Sequence, residues 1–303
     1  GGLLGQALLG TLRDVGRATG PRAVAEPLRA SARVLRDAAG QVDGEPARRL
    51  WLLAARFAEY AGWMAQEAGN DVAALRWTRT AVQWAQAGGD ASMDAYALVR
   101  RALMAQHRGD AAAVVEFARR AGDSPVASGS VRVFAARREA AGHALLGDHD
   151  ACMRALQRSR EELERLSERE SFGWGPRADL ETSALIEASC LLGLGRYESA
   201  ADLFDGLDRL STTTDSGTGA GSGNSHTRFA LRRATALLGC GAVEQACAAV
   251  GELLPAVGRL DSATIRADLA TFLRLAAGHA DRGAVRELTA QAKPVLPGLT
   301  TTG

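Results

Sequence analysis

One phrase occurs twice in this chain. Leu192-Gly193-Leu194-Gly195-Arg196-Tyr197-Glu198-Ser199-Ala200 returns as Leu238-Gly239-Cys240-Gly241-Ala242-Val243-Glu244-Gln245-Ala246, and looser copies surround Gly147-Asp148-His149, Gly109-Asp110-Ala111 and Gly69-Asn70-Asp71. Self-similarity at a roughly fixed period marks stacked supersecondary units. The phrase also has a mechanical meaning. A glycine in the left-handed conformation ends one helix, and a small residue five positions later lets the next helix pack closely on it. Five helix-turn-helix hairpins follow, and since one hairpin has too little core to stand alone, neighbours must stack.

The rest of the sequence agrees with helix throughout. Alanine, leucine and arginine dominate, and the alternating or β-branched runs of strands are missing. The expected helices cover 3–19 and 22–40, then the pairs 47–68 with 72–87, 91–108 with 111–121, 128–146 with 149–168, 177–194 with 197–211, and 227–239 with 243–257. A last pair, 261–279 and 282–292, closes the array. The expected fold class is all-α, a right-handed superhelical array of antiparallel helix hairpins. Its organisation is an N-terminal helical cap over 1–45, repeats over 46–258, and a C-terminal cap and tail over 259–303. Residues 211–225 (STTTDSGTGAGSGNS) read as a flexible loop between the fourth and fifth pairs.

Charge and cysteine usage exclude several classes of function. A net charge of +1, with basic and acidic residues interspersed, leaves no basic stripe for a phosphate backbone, so direct nucleic-acid binding is not expected. Lys293 is the single lysine, and the arginine bias hints at a GC-rich, actinobacterial source. Cys152, Cys190, Cys240 and Cys247 lie in apolar helical stretches without zinc spacing and read as buried, reduced thiols, which points to the cytoplasm. The opening Gly-Gly-Leu-Leu-Gly lacks the basic flank of a signal peptide and the apolar length of a membrane span.

Catalytic patterns are missing too. His107, His143, His149, His226 and His279 are scattered, with no nucleophile elbow or paired zinc-protease histidines nearby. Asp202, Asp205 and Asp208 read as solvated surface, and Gly217 to Gly223 has no preceding strand to make a phosphate loop. No cofactor or metal is expected.

Ala58-Glu59-Tyr60-Ala61-Gly62-Trp63-Met64, then Gly69-Asn70-Asp71 and Ala73-Ala74-Leu75-Arg76-Trp77, resemble a degenerate tetratricopeptide (TPR) unit. More narrowly, Leu52 to Asp90 is similar to the segment after the DNA-binding domain in actinobacterial Xre-type regulators. The resemblance implies a sensory or interaction module. The helix-turn-helix reader of that family would lie upstream of Leu3 and is not expected within these residues.

In TPR geometry the first helix of each pair lines the concave groove, so the binding residues can be projected. The candidates are Arg56, Glu59, Trp63 and Gln66, then Tyr96, Leu103, Gln106 and His107, then Phe134 and Arg137, with Thr182, Leu185, Ser189, Arg228 and Thr235 forming a plainer wall beyond. Trp63, Tyr96 and Phe134 beside Arg56, Arg137 and His107 suit an apolar ligand bearing a carboxylate, or a peptide. Trp51, Trp77 and Trp84 read as core. The expected function is a ligand- or peptide-binding regulatory module, with a protein-docking scaffold and an unrecognised enzyme as alternatives. The expected partners are a small molecule or peptide in the groove and a protein on the surface; a homodimer is left open, and no membrane association is expected.

Overall fold

A computed structural model describes residues 2–167, 173–213 and 224–296. Among these the chain is all-helical and without strands. Its helices are α1 (Gly2–Thr19), α2 (Pro21–Ala39), α3 (Gly44–Glu67), α4 (Asp71–Ala87), α5 (Ser92–His107), α6 (Ala111–Gly122), α7 (Gly129–Leu145), α8 (His149–Glu164), α9 (Leu180–Gly193), α10 (Tyr197–Thr213), α11 (Asn224–Gly239), α12 (Val243–Leu260), α13 (Ala263–Ala276) and α14 (Gly283–Ala292). None of them is long and apolar enough to cross a membrane.

The five recurring turns are built alike. Gly69, Gly109, Gly147, Gly195 and Gly241 all have positive φ, between 70° and 84°. Each glycine N–H bonds the carbonyl three residues back, and the next N–H reaches the carbonyl five back, as in Asn70 to Ala65 and Ala242 to Leu237. This double bond closes the helix C-terminus. In the first three turns Asn70, Asp110 and Asp148 then accept from the backbone N–H three residues on, capping the following helix. The residue five positions after each glycine, Ala74, Val114, Cys152, Ala200 or Ala246, is fully buried. Small side chains there set the close approach of the two helices in each hairpin.

Successive helices pack on one another from α1 to α12, after which α13 packs mainly on α11 and α14 on α12, and apolar clusters follow the stacking. One joins α1, α2 and α3 around Leu9, Val24, Leu28 and Phe57; another joins the helices from α9 to α14 around Leu231, Val250, Leu269 and Phe272. Trp77 and Trp84 pack half-buried against the clusters of the first hairpins, and Trp51 meets Trp84 with ring centroids 6.2 Å apart.

The two ends of the array meet. Glu67, buried at the end of α3, accepts hydrogen bonds from Ser262 and, at 2.8 Å, from Thr264 at the start of α13. Arg22 of α2 pairs with Asp261 at 2.6 Å. Gly20, between α1 and α2 with φ 86°, sits against the Leu260 carbonyl so closely that a Cβ would lie 1.9 Å from its oxygen. Helices from the two ends of the chain are therefore in contact, where an open array would keep them apart.

Some boundaries differ from expectation. Helix α10 continues to Thr213 and α11 begins at Asn224, so part of the stretch read as a loop is helical; residues 214–223 lie outside the described residues, as does the tail from 297. Helix α9 begins at Leu180 rather than 177, because Asp179 accepts from Thr182 N–H at 2.7 Å and fixes the N-terminus there. The expected burial of all four cysteines holds for Cys152, Cys190 and Cys247, but Cys240 is exposed, since it falls in the turn after α11.

Candidate functional site

The odd-numbered helices from α1 to α13 face one another, and between them lies a cavity of about 1420 Å³. Every one of the seven contributes to its wall, for example Arg17, Trp63, Gln106, Arg138, Leu185, Arg228 and Asp268. Of the residues projected from the sequence, Trp63, Leu103, Gln106, Thr182, Leu185, Ser189, Arg228 and Thr235 line this space.

Gln66 and His107 pair with each other and are not among the lining residues, and the other five are brought together elsewhere. Residues 173–179, between α8 and α9, fold back as non-helical chain against the middle of α3 and α7 and the start of α5. Trp174 is buried there, donating its indole N–H to Asp90 (3.0 Å) and Ser92 (3.1 Å). The Arg56 guanidinium lies 4.9 Å from the Trp174 ring centroid and donates to the Gly173 carbonyl. Tyr96 is wholly buried, donates its hydroxyl to Glu59 at 3.1 Å and meets Phe134 edge-on. Arg137, also buried, donates to the Asp179 carbonyl at 2.9 Å and to Ser183. Arg56, Glu59, Tyr96, Phe134 and Arg137 therefore surround the chain's own 173–179 segment. The inner face splits along the helix axes: on each of α3, α5 and α7 the residues meeting that segment precede those that line the cavity.

Within the cavity the polar groups are specific. Trp63 is half-buried with the guanidinium of Arg100 4.4 Å from its ring centroid. Arg100 is fully buried, and its two terminal nitrogens have no hydrogen-bond partner among the described residues. Arg228 and Arg232, one turn apart on α11, both pair with Asp268 of α13, at 3.2 and 3.3 Å. Arg232 also donates to Ser189 at 3.0 Å. Arg138 of α7 donates to the Gln106 side chain at 2.8 Å.

Burial lowers the pKa of Arg138 to about 10, with Arg137, Arg228 and Arg232 acting in the same direction. For Asp268 burial alone would favour the acid, but the two arginines outweigh it and hold the carboxyl below its ordinary range. His107 is exposed, yet the protein packed around it and the fields of Arg228 and Arg138 lower its pKa. Its Nδ1 lies 2.9 Å from the Gln66 side-chain nitrogen, which can donate to the neutral ring.

These shifts define a pH dependence. From roughly pH 6.5 downward the unfolded chain protonates His107 more readily than the folded chain does, so stability declines as pH falls, by an amount that solvent screening at this exposed ring keeps small. Asp268 has a depressed folded pKa, so its contribution is complete above the unfolded value of roughly 3.9 and is lost as pH falls through the folded one. Denaturant unfolding followed as a function of pH should therefore show two successive losses. His107→Gln should flatten the upper one; an unchanged slope would rule out His107 as its source.

Sequence reasoning missed Trp174, Arg138, Arg232 and Asp268. A signal existed for one of them, since Arg232 lies four residues after Arg228 on the same helix face. For Trp174 there was none, because its partners are more than eighty positions away.

No protein-family model matches the chain, and the curated proteins searched give no match.

Proposed function

We propose that the chain is a ligand-binding regulatory module, a right-handed, TPR-like array of helix hairpins whose inner cavity takes a small molecule or short peptide. The supporting observation is the cavity itself, about 1420 Å³ and walled by seven helices. It exceeds the roughly 300–1,000 Å³ of ordinary small-molecule clefts. Its walls combine apolar side chains with a few buried polar groups, the composition that fixes a ligand's orientation. The resemblance of Leu52 to Asp90 to the sensory part of actinobacterial Xre-type regulators suggests what occupancy would do, which is to alter the contacts of a partner protein or domain.

A neutral apolar fluorophore tests this reading. N-phenyl-1-naphthylamine should bind saturably and brighten, and Leu185→Trp, which places an indole in the cavity, should block it. Failure of the dye to bind, or equal binding by the variant, would refute the cavity as a ligand site.

One observation favours a second reading, docking of a protein on the outer surface. Leu4, Leu8 and Val34 are exposed on the first hairpin, and Leu8 and Val34 border a cleft of about 270 Å³.

A further inference from the structure

The cavity's charges are unequal. Arg138, Arg228 and Arg232 stand in one another's fields from two helices, and the carboxylate bonded to this group is Asp268, which serves Arg228 and Arg232. Among the described residues Arg138 has one neutral hydrogen-bond partner, the Gln106 carbonyl oxygen, so most of its N–H groups bond no protein acceptor there. Three guanidinium groups thus face one carboxylate, a surplus of two positive charges.

The other ionisable groups on the wall do not remove the surplus. Arg17 pairs with Asp14, Asp179 caps the start of α9, and Glu181 and Arg274 occupy exposed positions. His107, near the wall, can add no negative charge, and Cys190, on the wall, is held as the thiol by its hydrogen bond with Cys152 and by burial. Cations enclosed with too few anions are costly unless an oxyanion completes them, and guanidinium groups match carboxylate and phosphate in a bidentate way. Next to the arginines the wall is apolar, with Leu185, Ile186 and Phe229.

We propose that the cavity takes an amphipathic oxyanion, with a carboxylate or phosphate on Arg138, Arg228 and Arg232 and an apolar body against Leu185, Ile186 and Phe229. This rests on the cavity reading above and adds the chemical class of the ligand. Arg138 is the decisive residue, because it is the member of the group not neutralised by Asp268. A bound oxyanion would join it to the other two and bridge α7 to α11.

Calorimetric titration of the whole chain with decyl phosphate, decanoate, 1-decanol and decyltrimethylammonium, each below its micelle concentration, tests the assignment. Both anions should bind at least about tenfold tighter than the alcohol, more weakly as salt rises, and the cation should bind worst. The phosphate-to-carboxylate ratio separates the two sources of oxyanion. Arg138→Gln should remove most of the anion preference while leaving 1-decanol unchanged, and Arg138→Lys should restore part of it. Thermal melts of both variants check that they remain folded; no helix cap or ion pair depends on Arg138. If 1-decanol matches the anions, or Arg138→Gln binds them as the parent does, the oxyanion assignment fails while the cavity reading stands. If none of the four binds and the neutral dye is also refused, both fail.

Discussion

Replacing Trp174 with alanine is expected to lower the unfolding free energy by about 3–5 kcal/mol, the range for removing a buried aromatic ring. The side chain is 2% exposed, and its indole lies under Arg56 while bonding Asp90 and Ser92. Truncation removes the packing, strips Arg56 of its ring and leaves an Asp90 oxygen without its donor. The expected secondary effect is local. Amides of residues 173–179 should lose hydrogen-exchange protection before those of the helices, because the indole anchors that segment to α3 and α5. Trp174→Phe should cost only about 1 kcal/mol, retaining the ring and losing the N–H donor. Denaturant midpoints at constant slope measure both. A Trp174→Ala cost under about 1 kcal/mol would mean that the segment is not part of the core.

The second large effect is expected at Gly20. Gly20→Ala forces a side chain into an extended positive-φ conformation (φ 86°, ψ −177°) that is essentially exclusive to glycine, at about 1–3 kcal/mol, and drives its Cβ to 1.9 Å from the Leu260 carbonyl oxygen. That oxygen is backbone at the end of α12, so relief requires the two ends of the array to separate, and the total should reach about 3–5 kcal/mol. Gly241→Ala supplies the control. Gly241 has nearly the same φ, 84° against 86°, but nothing lies within 4 Å of its Cβ position, so only the conformational cost applies. Destabilisation at Gly20 should exceed that at Gly241 by the contact with Leu260 together with the extra cost of the extended positive-φ backbone at Gly20. Equal destabilisation would show that the closure contributes nothing to stability.

Both positions bear on how the cavity is made. Glu67 with Ser262 and Thr264, and Gly20 with Leu260, join helices from opposite ends of the chain. Loosening either contact should admit solvent to the arginine group and weaken discrimination between anionic and neutral ligands, since charge interactions strengthen as water is excluded.

The hairpins were legible because they are local. A glycine at each turn, a small residue five positions on and Asn or Asp as the next cap are written within about ten residues of sequence, and their energetics need no distant partner. The inward-facing residues were half legible. Helical period places Arg56, Trp63, Tyr96 and Leu103 on inner faces, but it carries no record of position along the axis relative to other helices. That position decides whether a residue meets Trp174 or the cavity.

By itself, then, the sequence determined the helices, their turns and their pairing into hairpins, because backbone conformation and capping are set by near neighbours. Only the tertiary structure decided that the two ends of the array touch, that residues 173–179 occupy part of its inner face, and that Arg138, Arg228 and Arg232 line one cavity. Those contacts span from about 40 to nearly 200 positions of chain, and their existence depends on how small rotations between successive hairpins accumulate, a quantity that no local pattern encodes.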